Sequence, residues 1–194
     1  MGDFYTDYRI TKELYSLGKD IILSEEYQRL KTYTQHGTTS VFEHSVSVAK
    51  YSLIFALSLE MRLGKKLDKK SIVRGALLHD YFLYDWHVDH SHGLHGFTHP
   101  KTALINADRD FELNDIERDI IKKHMFPLIP VPPVHLESAI VCMADKWCAT
   151  CETFKMDISS YTVYRLNLRY DISHGLIKIG NNIDMPDTAG ETQI

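Results

Sequence analysis

Apolar residues recur at spacings of three and four along most of the chain, which is the pattern of amphipathic helices. The first such stretch covers about residues 12–31 and predicts one or two short helices. After a polar break, Ser40 and Glu43 stand in the spacing of a capping box, which predicts a long helix over about residues 41–63. His44 therefore falls in the first turn of that helix.

The next apolar stretch predicts a helix over about residues 69–82. It places His79 and Asp80 in the last turns of that helix, directly after a run of small and apolar residues. A polar stretch rich in histidine and aspartate then extends over about residues 83–98. Connections of this length in a compact domain are usually functional or disordered. The stretch is therefore predicted to be a polar loop.

Three further helices follow in the prediction. One begins at Thr98 or His99 with Pro100 in its first turn and ends near Arg109, one is capped by Asn114 and Glu117 and ends by Phe126, and one covers about residues 134–154. His124 falls in the last turn of the second of these helices, and Asp145 falls among residues of the third that face the core, Trp147 included. The segment 161–170 fits both a helix and a strand.

The length of 194 residues and the apolar content of 44% suit one globular domain with a single core. We expect this domain to span residues 1–194, with its core at about residues 35–155 and a C-terminal extension at residues 156–194. Because helical patterns dominate, the predicted fold class is all-α, a bundle of about six to eight helices.

The formal net charge of −4 comes without a long run of either sign, so we expect no duplex nucleic acid partner. The first residues are acidic and lack an apolar signal segment, and no stretch has the length of a membrane span. Cys142, Cys148 and Cys151 in such a chain are typical of a reduced, cytoplasmic protein. Cys148 and Cys151 form a C-x-x-C within an apolar helical pattern, which favours burial in the core over redox or zinc use.

The unusual feature of the composition is histidine, of which the chain contains eleven. The adjacent pair His79-Asp80 offers a nitrogen ligand and an anionic oxygen from one backbone turn. Imidazole and carboxylate together suit Zn, Fe, Mn or Co rather than Ca. Other residues of the same ligand types stand on neighbouring predicted helices: His44, His99, His124 and Asp145. A divalent metal site is predicted, because polar groups at the end of an apolar helix need a partner.

The order His, His-Asp, His, His, Asp on successive helices resembles the HD superfamily of metal-dependent phosphohydrolases. Three segments within about residues 35–155 carry this resemblance: Phe42-Glu43-His44-Ser45, Leu77-Leu78-His79-Asp80 and Met143-Ala144-Asp145-Lys146. The resemblance implies an all-α HD-domain bundle built around a metal site, with a small phosphorylated molecule as the substrate.

The same resemblance separates a one-ion site from a two-ion site. The one-ion set is matched by His44, His79, Asp80 and Asp145, and the two-ion set adds His99 and His124. Because both added histidines are present, the resemblance favours two ions bridged by Asp80. The other ligands then divide into His44, His79 and Asp145 on the first ion and His99 and His124 on the second. Paired cations acidify a water that attacks phosphorus, and they stabilise the charge that develops.

The chain departs from one common form of the family after the His-Asp pair. Many members carry a short Ile-Gly-Lys there, whose lysine helps to bind phosphate, but this chain has Tyr81-Phe82-Leu83. Candidate phosphate contacts must lie elsewhere: Lys146 beside Asp145, Lys101, and Lys122 and Lys123 beside His124. Each of these lysines, taken alone, also fits a solvated surface.

His95 competes with His99 for the role of the third histidine ligand. We favour His99, because Pro100 marks the start of a helix, where the resemblance places that histidine. His95 then becomes an outer contact of the ligands, a general acid or a substrate contact. Three further histidines of the loop fit a lid or a mobile polar surface: His87, His90 and His92.

The leading hypothesis is a hydrolase for a phosphate ester of a small nucleotide or related metabolite, with Asp80, His95 and Lys146 as its catalytic residues. A few HD-fold proteins with the same order of six ligands hold a di-iron centre and activate O₂, so an oxygenase is the second hypothesis. A binding module with a vestigial site is the third. Apolar and aromatic residues of the tail, such as Tyr161 and Tyr164, are a candidate homodimer contact.

Overall fold

The computed structural model describes residues 2–84 and 95–176, and eight α-helices make up most of this length. The helices are α1 (Gly2–Ile22), α2 (Glu25–Gln28), α3 (Val41–Leu63), α4 (Lys69–Leu78), α5 (His95–Asp110), α6 (Asp115–Lys123), α7 (Leu136–Thr153) and α8 (Ser160–Ser173). A 3₁₀ turn (Arg29–Thr32) follows α2, and a small antiparallel hairpin joins β1 (Thr34–His36) to β2 (Thr39–Ser40). The predicted all-α bundle is confirmed.

Helix α3 begins and ends where the sequence predicts. The Ser40 hydroxyl accepts a hydrogen bond from the Glu43 amide at 3.2 Å, and the Glu43 carboxylate accepts one from the Ser40 amide at 2.8 Å. Gly64 ends the helix in the left-handed region, with φ of 63°, which a residue without a Cβ adopts at little cost. Because the capping box fixes the start of α3, it also fixes His44 in the first turn of that helix.

The core lies around α3 and α4. Helix α3 packs against α4 and α7, and α4 also packs against α1 and α6. Gly75 allows the approach of α4 to α6, because a Cβ at this position would lie 2.6 Å from Cδ1 of Ile120. This close approach brings the C-terminal ends of the two helices together, and with them His79 and His124.

Two predicted helix limits beside the site are wrong. Helix α4 ends at Leu78 rather than near Phe82, so that His79 is its C-cap and Asp80 lies in the turn that follows. Tyr81 and Phe82 extended the apolar pattern because they are buried, but they are buried outside the helix. Helix α5 begins at His95, before Pro100, because its first turn carries no apolar periodicity that the sequence could show.

The ends of the chain also differ from the prediction. Helix α1 begins at Gly2, ten residues before the apolar spacing becomes regular, and it contains a kink at Gly18. The side chain of Trp147 is 49% exposed, although it was expected to face the core. The segment that fitted helix or strand is helical, as α8, and buries Leu166.

Three of the predicted features lie outside the described residues: the histidines of the loop at 87, 90 and 92. Within residues 2–84 and 95–176, no helix combines the length and the apolar character that crossing a membrane demands. The three cysteines are buried and form no disulfide among the described residues, and the burial predicted for Cys148 and Cys151 is confirmed. The division into a core and a C-terminal extension stays a prediction.

Candidate metal centre

The structure brings the six predicted ligands together from five helices or helix ends. They are His44 in the first turn of α3, His79 at the end of α4 with Asp80 beside it, His99 in α5, His124 at the end of α6 and Asp145 in the middle of α7. All six are buried, the most exposed being Asp145 at 8%. The cap of α3, the end of α4 and the close packing of α4 on α6 therefore all place side chains in one cluster.

Asp80 stands between two pairs of histidines. Its Oδ2 atom lies 3.4 Å from Nε2 of His79 and 3.9 Å from Nε2 of His44. Its Oδ1 atom lies 3.2 Å from Nε2 of His99 and 3.4 Å from Nε2 of His124. Each carboxylate oxygen of Asp80 therefore faces a different pair of imidazoles.

Asp145 faces only the first of these pairs. Its Oδ1 atom lies 3.2 Å from Nε2 of His44 and 3.7 Å from Nε2 of His79. Within the described residues, His44, His79 and Asp145 form one group whose ligand atoms lie within 4.8 Å of one another. A second group of the same kind contains His79, Asp80 and His124. Each group offers three nitrogen and oxygen atoms that can hold a cation.

Three imidazoles are oriented by hydrogen bonds at the far side of the ring. Nδ1 of His79 lies 2.7 Å from the Ala76 carbonyl, and Nδ1 of His124 lies 2.9 Å from the Ile121 carbonyl. Nδ1 of His44 lies 2.9 Å from Oε2 of Glu152. Carbonyl and carboxylate oxygens only accept, so in each case Nδ1 must carry the proton. Nε2 of each ring therefore faces the cluster, and it offers a lone pair to a metal ion that displaces any proton bound there.

The donor set fits a divalent metal. Nε2 of His79 and Oδ1 of Asp80 are buried but make no hydrogen bond of good geometry within the described residues. Nε2 of His99 lies 2.9 Å from Nε2 of His124, so both rings turn a nitrogen toward the same place. Buried polar atoms without partners are rare in folded proteins and call for an explanation. Imidazole and carboxylate donors in this arrangement suit Zn, Fe, Mn or Co.

The electrostatics of the cluster are strongly coupled. Burial alone would lower the pKa of His44, but hydrogen bonds with Asp145 and Glu152 raise it to about 9. Burial alone would raise the pKa of Asp80, but the charge of His79 holds it well below its usual range. Burial lowers the pKa of His124. The carboxylates of the cluster thus stay ionised and attract positive charge into a buried place.

Two residues of the site were missed in the sequence. The Gln35 side chain on β1 donates a hydrogen bond from Nε2 to Oδ2 of Asp80 at 2.6 Å. Glu152 holds the His44 ring from the other side. Glu152 lies seven residues after Asp145, which is two turns along the same face of α7, so helical spacing alone contained its signal. No sequence spacing indicated Gln35, because the fold of the β-hairpin alone brings this residue next to Asp80.

The lysines that were predicted to contact phosphate lie in different surroundings. Nζ of Lys146 lies 3.6 Å from Oδ2 of Asp145 and donates to the His124 carbonyl at 2.7 Å, so this lysine borders the cluster. Lys123 instead pairs with Asp119 at 2.7 Å. Lys101 and Lys122 are exposed. His95 is the first residue of α5, and its side chain lies outside the part of the chain that the structure describes.

The fold and the cluster agree with the family comparison. A family model, the HD domain, matches residues 41–150, a range that contains all six predicted ligands. The chain belongs to the HD domain family, which indicates the superfamily of metal-dependent phosphohydrolases. No curated protein and no solved structure matches the chain.

Proposed function

We propose that this protein is a metal-dependent phosphohydrolase that acts on a phosphate ester of a small nucleotide or a related phosphorylated metabolite. One observation carries the proposal: Asp80 lies between two histidine pairs and turns one carboxylate oxygen to each. A carboxylate in that position suits a bridge between two cations. Two cations held close together are a common device for displacement at phosphorus.

The residues divide between the two positions. His44, His79 and Asp145 would hold one ion, His99 and His124 would hold the other, and Asp80 would contact both. When bound, divalent ions in such a site polarise a phosphoryl oxygen and lower the pKa of water. The protein itself contributes rigid ligands, because the Nδ1 hydrogen bonds of His79 and His124 to backbone carbonyls fix both rings.

Two further side chains prepare the site for an anionic substrate. Lys146 is 43% exposed at its side chain and stands at the edge of the cluster, where its ammonium group can bind a phosphoryl oxygen. Gln35 holds Oδ2 of Asp80 through a hydrogen bond of 2.6 Å, which keeps the carboxylate from rotating. The catalytic roles of Asp80, Lys146 and His95 stay predictions, with His95 as an outer contact of the ligands, a general acid or a substrate contact.

An O₂-activating di-iron enzyme is the second candidate. The specific observation that favours it is the ligand set, which consists of imidazoles and carboxylates only, with Asp80 facing both histidine pairs. Such ligands suit iron as well as zinc or manganese. The nearby thiol of Cys142 donates to the His124 carbonyl at 3.1 Å. A binding module with an inactive site is the third candidate.

Metal analysis of the purified protein separates these candidates. We expect two divalent ions per chain, and we expect phosphate release from a panel of nucleoside monophosphates and sugar phosphates. Iron together with substrate-dependent O₂ uptake and no phosphate release would replace the hydrolase by the oxygenase. A chain that takes up no metal, even after incubation with Mn, Zn, Co and Fe(II), would favour the binding module.

Single histidine variants test the division into two positions. His124→Ala should reduce the metal content by one ion per chain, because His124 belongs to the second pair alone. His174→Ala is the matched control, since His174 is an exposed histidine on the last turn beyond α8. An unchanged metal content in His124→Ala would contradict the two-ion assignment and would leave a one-ion site made by His44, His79, Asp80 and Asp145.

A further inference from the structure

The outward face of α7 carries large apolar side chains from one end of the helix to the other. Four of them are between 38% and 74% exposed, and together they form what we call the outer stripe: Leu136, Met143, Trp147 and Phe154. Successive members are seven, four and seven residues apart, a spacing that returns a side chain to the same side of a helix. A contiguous apolar surface of this kind marks an interaction site in a globular protein.

The opposite face of α7 is already packed inside the protein. Ile140, Val141 and Ala144 are buried in the core, and Asp145 faces the metal cluster. Since a helix turns by about 100° per residue, Asp145 lies nearly opposite the outer stripe. A helix that is apolar on both faces is typical of a buried helix, yet the described part of this chain covers only one of them. A partner on the outer stripe would therefore bury α7 without touching the metal ligands.

The outer stripe is symmetric about the middle of the helix. Leu136 and Phe154 each lie nine residues from position 145, and Met143 and Trp147 each lie two residues from it. If α7 of a second copy runs antiparallel across the stripe, Leu136 meets Phe154 of that copy and Met143 meets Trp147. Both contacts then occur twice, related by a two-fold axis. This self-complementarity is what an interface between two identical chains requires.

The charges at the two ends of α7 fit the same arrangement. Glu137 stands in the first turn of the helix, and Lys155 follows its last residues. In an antiparallel pair centred on position 145, Glu137 of one copy and Lys155 of the other differ by about 3 Å along the helix axis. A parallel pair would instead bring like charges together. The antiparallel arrangement also sets the positive end of one helix dipole beside the negative end of the other.

Lys146 is the charged residue nearest the centre of the outer stripe, on its flank. Its Nζ atom donates to the His124 carbonyl at 2.7 Å and lies 3.6 Å from Oδ2 of Asp145. In the antiparallel pair the two Lys146 side chains lie on the same side, near the two-fold axis. Because each ammonium group is turned to a carbonyl and a carboxylate of its own chain, the repulsion between them is reduced.

The apolar area is sufficient for a reversible dimer. Val134 and Met156 stand just outside the two ends of the helix, each eleven residues from position 145, and they are 74% and 54% exposed. An aromatic side chain buries about 150–250 Å², so the exposed parts of Trp147 and Phe154, with the four aliphatic side chains, offer roughly 500 Å² per copy. Two copies then bury roughly 1000 Å², the lower limit for a specific interface.

We propose that two copies of this protein form a homodimer through the outer stripe, with their α7 helices antiparallel and the two-fold axis beside position 145. The symmetry of the stripe and the opposite charges at its ends select a second copy over other partners. This contact lies on α7 rather than on the tail, where the sequence alone suggested it. The proposal goes beyond the hydrolase assignment and does not depend on it.

Sedimentation velocity on the purified, metal-loaded protein tests whether the dimer exists. Over a range from about 1 µM to about 500 µM we expect the mass to rise from one chain toward two, with a Kd in the micromolar range. A chain that sediments as a monomer over the whole range would overturn the proposal and leave the outer stripe to a different partner.

A pair of aromatic variants locates the contact. Trp147→Glu places two carboxylates in the apolar centre and should raise the Kd at least about thirtyfold, because a central aromatic side chain carries much of the binding free energy. Tyr164→Glu is the matched control, since Tyr164 is 64% exposed on α8 and lies in the contact that the sequence suggested. It should leave the Kd unchanged. Loss of the dimer in Tyr164→Glu but not in Trp147→Glu would overturn the proposal.

A charge exchange tests the antiparallel direction. Lys155→Glu sets two carboxylates together at each end of the contact and should raise the Kd about fivefold. The double variant Glu137→Lys with Lys155→Glu restores opposite charges and should return the Kd to within about twofold of the unchanged protein. A double variant that dimerises no better than Lys155→Glu, with its fold intact by circular dichroism, would overturn the antiparallel arrangement. Mass is measured without turnover, so a failure of the hydrolase assays would leave the result intact.

Discussion

Helix α4 carries a buried polar cluster on its middle turns and another at its C-terminal end, and the two differ in how they are satisfied. In the first cluster, Nε of Arg74 donates to Oε1 of Glu117 at 2.8 Å, and another nitrogen of the guanidinium donates to the Glu112 carbonyl at 2.9 Å. The remaining face pairs with Asp20. The Arg74 cluster is therefore closed, since each face of the buried guanidinium has a partner.

The second cluster, at His79 and Asp80, is not closed. Nε2 of His79 and Oδ1 of Asp80 have no hydrogen bond of good geometry within the described residues, although both are as deeply buried as Arg74. A satisfied buried network holds helices in register, whereas unsatisfied atoms keep the capacity to bind something else. The two clusters are buried to a similar degree, and what distinguishes them is whether their polar atoms have hydrogen-bond partners.

Removing Asp80 should produce the largest effect. In Asp80→Asn we expect both ions to be lost, because Asp80 is the ligand that the two positions share. Activity should then fall by more than about a thousandfold, because the charge stabilisation that the ions supply is lost with them. The free energy of unfolding of the metal-free protein should fall as well, because the lowered pKa of Asp80 means that its negative charge stabilises the folded state beside the imidazoles. Metal content, phosphate release and urea unfolding in the presence of a chelator measure the three parts.

Asp108→Asn is the control for this experiment. Asp108 pairs with Arg118 at the surface, where both side chains are more than a third exposed, so metal content and activity should stay as in the unchanged protein. An Asp80→Asn protein that keeps two ions and full activity would refute the role of Asp80 as the bridge.

Breaking the closed cluster should reduce stability without removing metal. Arg74→Met leaves the buried Glu117 carboxylate without its partner, and we expect the free energy of unfolding to fall by about 3–5 kcal/mol. The folded fraction should still bind two ions, because Arg74 does not touch the metal ligands. Urea denaturation and metal analysis of the folded protein measure both quantities.

Arg118→Met provides the matched surface change and should cost less than about 1 kcal/mol. If Arg74→Met instead lost metal with little loss of stability, the distinction between a closed and an open cluster would not hold.

The fold was predictable where a local signal sets it. Capping boxes at Ser40 and Asn114 marked the starts of α3 and α6, because the side chains that close them lie three residues apart. The end of α4 was not predictable, because Tyr81 is buried by contacts with other elements and its apolar character continued the helical pattern. Tertiary packing, rather than local propensity, decides that boundary.

The residues of the site could also be predicted only in part. Its six predicted ligands were identified through resemblance to a family, and the structure places them close together, while their role as ligands stays a prediction. Gln35 could not be found in this way, because its contact with Asp80 joins residues 45 positions apart through a two-stranded hairpin. Outer contacts of this kind depend on tertiary geometry that one sequence does not display.

Loosening an outer contact should have a smaller effect than removing a ligand. Glu152→Gln weakens the hold on Nδ1 of His44 by replacing a carboxylate with an amide, and we expect metal affinity to fall about 10–100-fold. Chelator competition measures the affinity of each variant. Glu137→Gln, a change of the same kind in the first turn of α7, is the control and should leave the affinity unchanged. Equal affinities in both variants would show that Glu152 does not support the metal site.

The smallest effect is expected at Asp119, a closed polar contact between α6 and the segment before α7. Its carboxylate pairs with Lys123 at 2.7 Å and accepts the Val134 amide at 3.0 Å. Burial opposes ionisation, but these partners lower the pKa of Asp119 below its ordinary value. Asp119→Asn should therefore reduce the free energy of unfolding by about 1–2 kcal/mol at neutral pH, without change in metal content.

The pH dependence tests whether the charge of Asp119 is the cause. A lowered pKa in the folded state means that the contribution is complete above the unfolded value of about 4 and is lost as the pH falls through the folded value. The stability difference between the unchanged protein and Asp119→Asn should therefore shrink below about pH 4. Urea denaturation between pH 3 and 7 measures it, and a difference that stays constant over this range would assign the effect to shape rather than to charge.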